Sequence, residues 1–378
     1  ILFISSWYPN EDDPTLGIFV QRHAESAALH NNVALLHAQS ESNITEPKIY
    51  FSKEKTFIEL IIKYPKVKGK LPLITKLLKI KRYKHFYNFG LNVLKKEGFS
   101  PDLIHCNVMN PVGLVASLWK KKLNIPYIIT EHWTGFLSSD GRYKKNPLLK
   151  LSLPKIANGA EKVLPVSLDL KKALTKHKLG KNYKIVRNVV NTNKFFPQQK
   201  DKNKFLVVAD LDNAQKNITG IVNAFKAFSD TYPSMELAIA GGGKDEDLIK
   251  SHINQLQISQ KVKLYGRLNA EALNNLLAES YASVLFSNYE NLPCVIVEAF
   301  SAGIPFISTK VGGTAEIIDS KKGILIPPKD EDALVKAMHK AVKTNWDKNA
   351  IRDYAIQTFG IDKIGEELNC IYNQILGN

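Results

Sequence analysis

The chain has 378 residues, of which 44% are hydrophobic and 23% are charged, and its formal net charge is +16 at pH 7. This length exceeds one compact core and favours two domains, while the composition is that of a soluble globular protein. No apolar run approaches the ~20 residues needed to span a bilayer. Three distant cysteines, Cys106, Cys294 and Cys370, argue against a disulfide framework or a zinc site, so we expect a cytoplasmic protein.

The first half of the chain alternates short apolar segments with stretches of helical periodicity. Its predicted strands are 1–5, 32–37, 102–106, 126–130, 162–166 and 184–187. Gly17 lies in the loop after the first strand, where a glycine permits close backbone approach to a ligand or simply a turn. His132 follows the strand that ends at residue 130, between Glu131 and Trp133. It is either a hydrogen-bonded structural histidine or a ligand-binding group at a strand end.

Residues 48–100 are strongly basic, with 14 Lys and Arg against three acidic residues, a net charge of +11. Such a segment forms a solvated basic face, binds anionic lipid headgroups at about 1 kcal/mol per basic residue, or binds nucleic acid. The sequence contains no recognisable nucleic-acid-binding motif. Among possible ligands of this segment, an anionic membrane surface is therefore preferred.

A polar, lysine-rich linker at 191–204 precedes a second series of strands and helices. The predicted strands are 204–209, 235–240, 261–265, 282–286, 304–308 and 323–326, and the predicted helices include 217–230, 245–257, 269–279, 294–302 and 330–343. Two such series predict two doubly wound, Rossmann-like α/β domains, with ligands at the carboxyl ends of the strands in a cleft between them. We place the domains at 1–196 and 197–357. An amphipathic helix over 358–378 is expected to cross back to the first domain.

Two features early in the second series bear on phosphate binding. The glycines at 241–243 follow a strand, but Glu246 occupies the third glycine position of a dinucleotide fingerprint, so the segment does not predict NAD binding. Lys216 precedes a predicted helix, where a cation opposes the helix dipole. It is either an ordinary surface lysine or a group that shares an anion, such as a diphosphate, with the helix end.

Two glutamates, Glu290 and Glu298, flank the start of the predicted helix 294–302. Pro293 is typical of a first helical turn, which places Glu290 in the preceding loop beside free backbone N–H groups. Glu298 lies in an apolar run, where a carboxylate is costly unless it is hydrogen-bonded. It is either a structural glutamate or a ligand for a ribose diol, which offers two O–H donors to a group that only accepts.

Together these residues resemble the group 1 family of retaining nucleotide-sugar glycosyltransferases, which have two facing Rossmann-like domains (GT-B type). The most specific part is an E-x7-E pattern followed by A-x-x-x-G-x-P and G-G-x-x-E, present here as Glu290, Glu298, residues 299–305 and residues 312–316. The segments around Asn188, Gly266 and Gly17 are similar to the interdomain link, the nucleobase loop and the acceptor-side loop of the family. The resemblance covers nearly the whole chain.

The resemblance implies a role for each of these positions in donor binding. Catalytic roles would fall to Glu290 at the sugar hydroxyls, Lys216 at the diphosphate, and His132 beside the sugar on the acceptor side. The other implied donor-binding positions are Glu298 (at the ribose), Gly17, Gly266, Arg267, Asn291, Leu292, Pro293 and Cys294.

One departure from the family concerns the diphosphate. Where the family has a G-R-L segment whose Arg holds the phosphates, this chain has Asp210. An aspartate would repel the phosphates, so either it points away or another cation substitutes, with Arg267 and Arg187 as the candidates. The resemblance implies no metal and no cofactor besides a UDP- or GDP-linked sugar as co-substrate, although Asp210 and Asp212 have the spacing of a metal-binding pair.

The sequence therefore predicts a retaining, metal-independent glycosyltransferase of the hexosyltransferase type. It would use a glycan or lipid-linked acceptor in polysaccharide or glycoconjugate biosynthesis, in the cytoplasm or peripherally on the inner face of the cell membrane. Nucleic acid is not expected as a partner. The alternatives are a sugar-nucleotide epimerase or phosphorylase, which also use two Rossmann-like domains, and a degenerate carbohydrate- or membrane-binding module, which the loss of the diphosphate Arg would favour.

Overall fold

The computed structural model of the protein describes residues 1–10, 13–69 and 71–377. Strands and helices alternate along the chain and form two separate sheets, each flanked by helices. The prediction of two doubly wound α/β domains is therefore confirmed. In the described part of the chain, none of the helices combines the length and the hydrophobicity of a membrane span.

The first sheet has seven strands in the order β3-β4-β2-β1-β5-β6-β7, and only the edge strand β3 is antiparallel to its neighbour. The strands are β1 (Leu2–Ser5), β2 (Ala34–Glu41), β3 (Lys48–Ser52), β4 (Ile58–Pro65), β5 (Ile104–Asn107), β6 (Tyr127–Glu131) and β7 (Val163–Pro165). The helices are α1 (Ile18–Ala27), α2 (Pro72–Lys96), α3 (Gly113–Leu123), α4 (Arg142–Lys145), α5 (Pro147–Gly159) and α6 (Leu168–Lys176). The central strands are buried along their length because helices cover both faces of the sheet.

The second sheet has six parallel strands in the order β10-β9-β8-β11-β12-β13. The strands are β8 (Lys204–Val208), β9 (Glu236–Ala240), β10 (Val262–Gly266), β11 (Ser280–Leu285), β12 (Phe306–Thr309) and β13 (Gly323–Ile326). The helices are α7 (Asn213–Lys216), α8 (Ile218–Thr231), α9 (Glu246–Gln255), α10 (Ala270–Ala278), α11 (Cys294–Ser301), α12 (Thr314–Ile317), α13 (Glu331–Lys343), α14 (Lys348–Phe359) and α15 (Ile361–Leu376). All six strands predicted for this half are present, with small differences at their ends.

One expectation about the first sheet was wrong, and one feature of the sheet was missed. The predicted strand 184–187 does not form, because the chain leaves the sheet edge there after a single bridge between Val163 and Tyr183. The hairpin of β3 and β4 was not predicted. Its edge strand β3 is largely exposed and mixes Lys48 with apolar residues, so it lacks the buried apolar pattern that marks the central strands.

The last helix, α15, crosses back to the first domain as predicted. Ile364, Leu368 and Tyr372 are buried in one core cluster with residues of β1 and α1. Nδ1 of His105, on β5, lies 2.7 Å from the hydroxyl of Tyr372. The hydroxyl of Ser26, on α1, donates to the carbonyl of Ile361. The helix α15 therefore packs into the core of the first domain and joins the end of the chain to it.

Candidate active site

The centre of the candidate site is an ion pair between Lys216 and Glu290. Nζ of Lys216 lies 2.5 Å from Oε1 of Glu290, which also accepts a hydrogen bond from the hydroxyl of Ser287 at 2.7 Å. The Glu290 side chain is only 6% exposed, so these two donors offset the cost of burying its charge. The pair follows the adjacent strands β8 and β11 at their carboxyl ends, the edge where parallel sheets bind ligands.

The segment after β12 fixes the backbone beside Glu290. Gly312 has a φ of +54°, and a Cβ at this position would lie 1.9 Å from the carbonyl oxygen of Glu290. The N–H of Gly313 donates to the carbonyl of Asn291 at 2.7 Å. The two glycines of the G-G-x-x-E pattern therefore permit a contact between backbones that no larger residue would allow.

The loop that leads into α11 is bonded to the first domain by buried amides. Nδ2 of Asn291 donates to the carbonyl of His132 at 3.0 Å, and its Oδ1 accepts from the hydroxyl of Ser167 at 2.7 Å. Nδ2 of Asn188, in the interdomain link, donates to the carbonyl of Leu292 at 2.6 Å. The predicted donor-contact segment therefore lies directly against the residue predicted for the acceptor side.

His132 is buried at the end of β6. Its ring stacks on Phe19 with the centroids 3.8 Å apart, and its Nε2 has no hydrogen-bond partner among the described residues. Burial and the neighbouring His23 hold the pKa of His132 well below its ordinary value, whereas the side chain of Asn188 opposes this shift. The ring is therefore neutral at pH 7, with a nitrogen available for a ligand.

Glu131 positions the loop that carries His132. Its fully buried carboxylate accepts from the backbone N–H groups of Met109, His132 and Trp133, each at 2.9 Å. Burial raises the pKa of Glu131 to about 7, and these three hydrogen bonds oppose that rise. The sequence indicated the segment from Glu131 to Trp133 as a candidate site. It did not reveal that the Glu131 carboxylate accepts hydrogen bonds from three backbone N–H groups.

Glu298 has a protein partner that the sequence did not predict. Nη2 of Arg22, on α1, lies 2.5 Å from Oε1 of Glu298, and the two side chains are 14% and 9% exposed. Nη1 of Arg22 is buried and makes no hydrogen bond to any described residue. Since Arg22 precedes Glu298 by 276 positions, no local signal could have linked them. The ion pair joins the two domains behind the start of α11.

Arg267 is the cation that lies beside Asp210. Its Nη1 is 3.2 Å from Oδ1 of Asp210, and the same nitrogen donates to the hydroxyl of Thr15 at 2.7 Å and lies 3.3 Å from Oδ1 of Asp13. Arg267 follows β10, whereas Asp13 and Thr15 precede α1, so this contact also spans the two domains. The side chain of Arg267 is 30% exposed.

The other groups considered for the diphosphate lie elsewhere. Arg187 is 3.8 Å from Glu316, whose carboxylate accepts from the first N–H groups of α6. Asp212 caps α7 and pairs with Lys244 at 3.0 Å. Among the described ion pairs, Asp210 therefore pairs with Arg267 and Arg187 pairs with Glu316, whereas Asp210 and Asp212 have different cationic partners.

The two predicted glycines have different surroundings. Gly17 has a φ of +67°, and a Cβ there would lie 2.5 Å from the carbonyl oxygen of Trp7. Its absent side chain thus makes room for protein backbone. Gly266 has a φ of +66°, and a Cβ there would meet no described atom within 4 Å. The space beside Gly266 is open.

The architecture is that of a GT-B glycosyltransferase. Over the whole chain it is similar to the solved structure of a sucrose-phosphate synthase from Thermosynechococcus elongatus, with a TM-score of 0.76 at 18% identity and 99% coverage of that chain. Over 99% of both chains it is also similar to Anabaena HepE in complex with UDP and glucose, with a TM-score of 0.73 at 16% identity. At these identities, the similarity concerns the fold.

The sequence matches two family models that together span 59–358. Residues 190–358 match "Glycosyl transferases group 1" and residues 59–194 match "Glycosyltransferase Family 4". The chain is also 29% identical, over 241 residues, to an uncharacterised glycosyltransferase of Methanocaldococcus jannaschii, a match that spans 63% of this chain and 64% of that protein. The two family matches identify the protein as a glycosyltransferase, and its residues 190–358 are of the group 1 type.

Proposed function

We propose that this glycosyltransferase moves a sugar from a UDP- or GDP-linked donor to a glycan or lipid-linked acceptor, with retention of the anomeric configuration. The single observation that carries the donor site is the buried pair of Lys216 and Glu290 at the strand ends of the second sheet. The HepE structure, which has the same fold, is a complex with UDP and glucose. That relative supports a nucleotide-sugar donor here.

Both members of the central pair have bonding capacity left for a donor. A carboxylate has about four lone-pair sites and an ammonium group has three donors. Glu290 uses two of its sites for Lys216 and Ser287, which leaves others for sugar hydroxyls. Lys216 retains N–H donors for diphosphate oxygens. The first turn of α11 has no side-chain cap among the described residues and contains no acidic residue, so its free N–H groups favour an anion.

The proposed reaction needs no nucleophile from the protein. The oxygen of the acceptor hydroxyl forms a bond to the anomeric carbon on the same face from which the diphosphate leaves, while the bond from that carbon to the diphosphate oxygen breaks, so the configuration is retained. The electron pair of the broken bond leaves with the diphosphate, which also takes the proton of the hydroxyl. Lys216 and the N–H groups of α11 would stabilise the negative charge of the leaving group. Neutral His132 would offer Nε2 to the sugar.

We assign the role of the missing diphosphate arginine to Arg267. The guanidinium group of Arg267 has five N–H donors. Its contacts to Asp210, Thr15 and Asp13 all use Nη1. The guanidinium is thus held next to the diphosphate position by side chains of both domains. A cation beside Asp210 weakens the alternative that this chain is a degenerate binding module.

We propose that the carboxylate of Glu298 binds the ribose of the donor and Arg22 at the same time. Its Oε1 is bonded to Arg22, and a second carboxylate oxygen would accept the ribose diol. The pair would then connect donor binding with the contact between α1 and α11. In this arrangement Arg22 stabilises the carboxylate whether or not a nucleotide is present.

We also propose that the first half of α2 docks on an anionic membrane surface. Leu73 is 73% exposed and Leu77 is 61% exposed, although both are apolar. Helix α2 contains seven Lys and Arg residues and no acidic residue. Lys70, which belongs to the predicted basic segment, lies outside the described residues. The combination of apolar and basic side chains is typical of a helix at a membrane interface.

The proposed function is tested with a panel of sugar nucleotides. One of them should raise the thermal unfolding midpoint, because a ligand at 100 times its Kd stabilises the folded state by about 2.7 kcal/mol. The same nucleotide should be hydrolysed slowly without an acceptor. If no nucleotide stabilises the protein at concentrations well above micromolar, the donor site proposed here is wrong. If a free epimerised sugar nucleotide accumulates instead, the protein is an epimerase.

A further inference from the structure

A cavity of about 350 Å³ lies in the first domain, beneath the first half of α2. It lies at the carboxyl ends of β1, β2 and β4. Its wall is mainly aromatic and aliphatic, with contributions from Trp7, Tyr8, Tyr64, Ile80, Tyr83 and Leu114. The volume is in the range of ~300–1,000 Å³ that is usual for small-molecule sites.

The charged residue that lines this cavity is basic, although two wall residues, Tyr8 and Gln39, donate to the carboxylates of Glu59 and Glu41 behind the wall. Lys79, on α2, lies in the wall, and no aspartate or glutamate is among the described residues that line the cavity. The polar residues of the wall are few, and the ring of His37 already contacts the carbonyl of Ser5 and the side chain of Gln39. The wall therefore suits an apolar group that carries a negative charge at one end. A polar glycan would regain only part of its hydrogen bonds to water there, because most of the exposed wall is apolar.

One end of the cavity adjoins the candidate active site. Leu16 lies in its wall, and the hydroxyl of the neighbouring Thr15 accepts a hydrogen bond from Arg267. Trp7, also in the wall, contacts Phe19 edge-on with the ring centroids 6.3 Å apart, and Phe19 stacks on His132. A single aromatic ring thus separates the cavity from the proposed sugar position.

The other end of the cavity reaches the exposed face of α2. Ile80 and Lys79 line the cavity, whereas Leu73, Ile74 and Leu77, one to two turns earlier, are exposed. All residues of α2 are described, and the first buried one is Phe86, so the first half of the helix has no buried residue. The cavity therefore lies between the aromatic residues that border the active-site cleft and the surface that we propose for membrane docking.

We propose that this cavity binds the apolar chain of a glycolipid acceptor whose chain is joined to its sugar through a phosphate, with Lys79 beside that phosphate. The inference rests on the proposed glycosyl transfer and names the acceptor class for it. The apolar wall excludes water from the chain, and the basic residues of α2 complement the phosphate. The sugar of the acceptor would then extend past Trp7 and Phe19 towards His132.

The probes for this proposal are farnesyl phosphate, farnesol and inorganic phosphate, titrated into the full chain and followed by calorimetry. We expect farnesyl phosphate to bind at least tenfold more tightly than farnesol, and inorganic phosphate not to displace it. Ser40→Trp and Val67→Trp, which fill the cavity from two different segments, should each weaken farnesyl phosphate binding at least tenfold. Ser259→Trp, an exposed position in the second domain, should leave it unchanged.

A charge-removal pair tests the position of the phosphate. Lys79→Gln should weaken farnesyl phosphate about fivefold, whereas Lys81→Gln, which is exposed on the same helix but does not line the cavity, should not. Equal effects of the two variants would overturn the assignment of Lys79. Farnesyl phosphate that does not bind, or that binds both tryptophan variants like the wild type, would overturn the cavity proposal, as would transfer only to water-soluble glycans.

Thermal shifts with sugar nucleotides separate this proposal from the proposed function. Ser40→Trp should be stabilised by the donor nucleotide to the same extent as the wild type, because the cavity lies outside the donor site. If the wild type binds a donor nucleotide but the cavity variants bind farnesyl phosphate normally, the cavity proposal alone is wrong. If no nucleotide binds while farnesyl phosphate still depends on Ser40 and Lys79, the donor proposal is wrong and the lipid site stands.

Discussion

The two sides of the cleft are built from opposite kinds of interaction. On the side of the second sheet, Glu290 and Glu298 are buried charges, each paired with a cation, and the backbone beside Glu290 is fixed by Gly312. On the side of the first sheet, the cavity is apolar and the helix above it exposes Leu73 and Leu77. In the proposed reaction, the side of the second sheet would be organised in advance for charge, whereas the side of the first sheet would offer area to an apolar chain.

The largest effect should come from removing the central ion pair, which would test the donor side alone. Lys216→Ala should lower kcat for sugar transfer by roughly 10²–10³, because it removes a fixed charge that stabilises the leaving diphosphate. Glu290→Gln should cause a similar loss at the sugar hydroxyls. Steady-state kinetics with the preferred sugar nucleotide measure both. Lys250→Ala, an exposed lysine on α9, is the control, and wild-type turnover in both site variants would remove the pair from catalysis.

A loss of stability should follow from breaking the pair that joins the two sides. Arg22→Met leaves the carboxylate of Glu298 buried without a partner and should lower the free energy of unfolding by about 3 kcal/mol. The double variant Arg22→Met/Glu298→Leu should recover part of this loss, because it removes both charges. Chemical denaturation of the three proteins measures the cycle. If the single variant is as stable as the wild type, the ion pair does not hold the domains together.

Acidic pH should destabilise the first domain more than the second. Besides the half-buried His177, burial lowers the pKa values of four fully buried histidines, His23, His37, His105 and His132, all in the first domain. They are neutral when folded, but the unfolded chain binds protons below about pH 6.5, so stability is complete above that pH and falls as the pH drops towards the lowered pKa values.

Glu131 acts in the opposite direction over part of this range. Because burial raises its pKa to about 7, its stabilising protonation is complete at low pH and is lost as the pH rises through 7. Four groups outweigh one, so the free energy of unfolding should fall by on the order of 1–2 kcal/mol between pH 6.5 and 5.5. Denaturation at both pH values measures this, and Glu131→Gln should steepen the loss. Equal or greater stability at pH 5.5 would contradict the account of the buried histidines.

The smallest effect per residue should come from the basic face of α2. Lys76→Gln and Lys81→Gln should each cost about 1 kcal/mol of binding to anionic vesicles, close to a fivefold loss, and added salt should weaken the binding further. Vesicle sedimentation measures it, with Lys310→Gln and Lys329→Gln in the second domain as matched controls. Equal binding to neutral vesicles would show that these charges do not recruit the protein.

The same contrast explains what could be predicted from the sequence. The strands of the second sheet carry strong local periodicity. Since parallel strands bind ligands at their carboxyl ends, the positions of Lys216 and Glu290 along the chain suffice to bring both to one edge of the sheet. The E-x7-E spacing likewise depends on one loop and one helix. These features are local, or follow from strand order.

The remaining features depend on contacts between distant segments. The pairing of Arg22 with Glu298 and the choice of Arg267 over Arg187 beside Asp210 follow from how the two domains meet, which local periodicity does not encode. The edge strand β3 lacks a buried apolar pattern, so its hairpin was missed. The cavity beneath α2 likewise arises only when that helix lies over the ends of β1, β2 and β4.

The most direct test of the donor site is a crystal structure of the protein with an intact nucleotide sugar. We predict that the carboxylate of Glu290 accepts hydrogen bonds from sugar hydroxyls, while Nζ of Lys216 and the fork of Arg267 contact the diphosphate. A nucleotide bound away from the ends of β8 and β11, with Lys216 and Glu290 still bonded only to each other, would contradict the account.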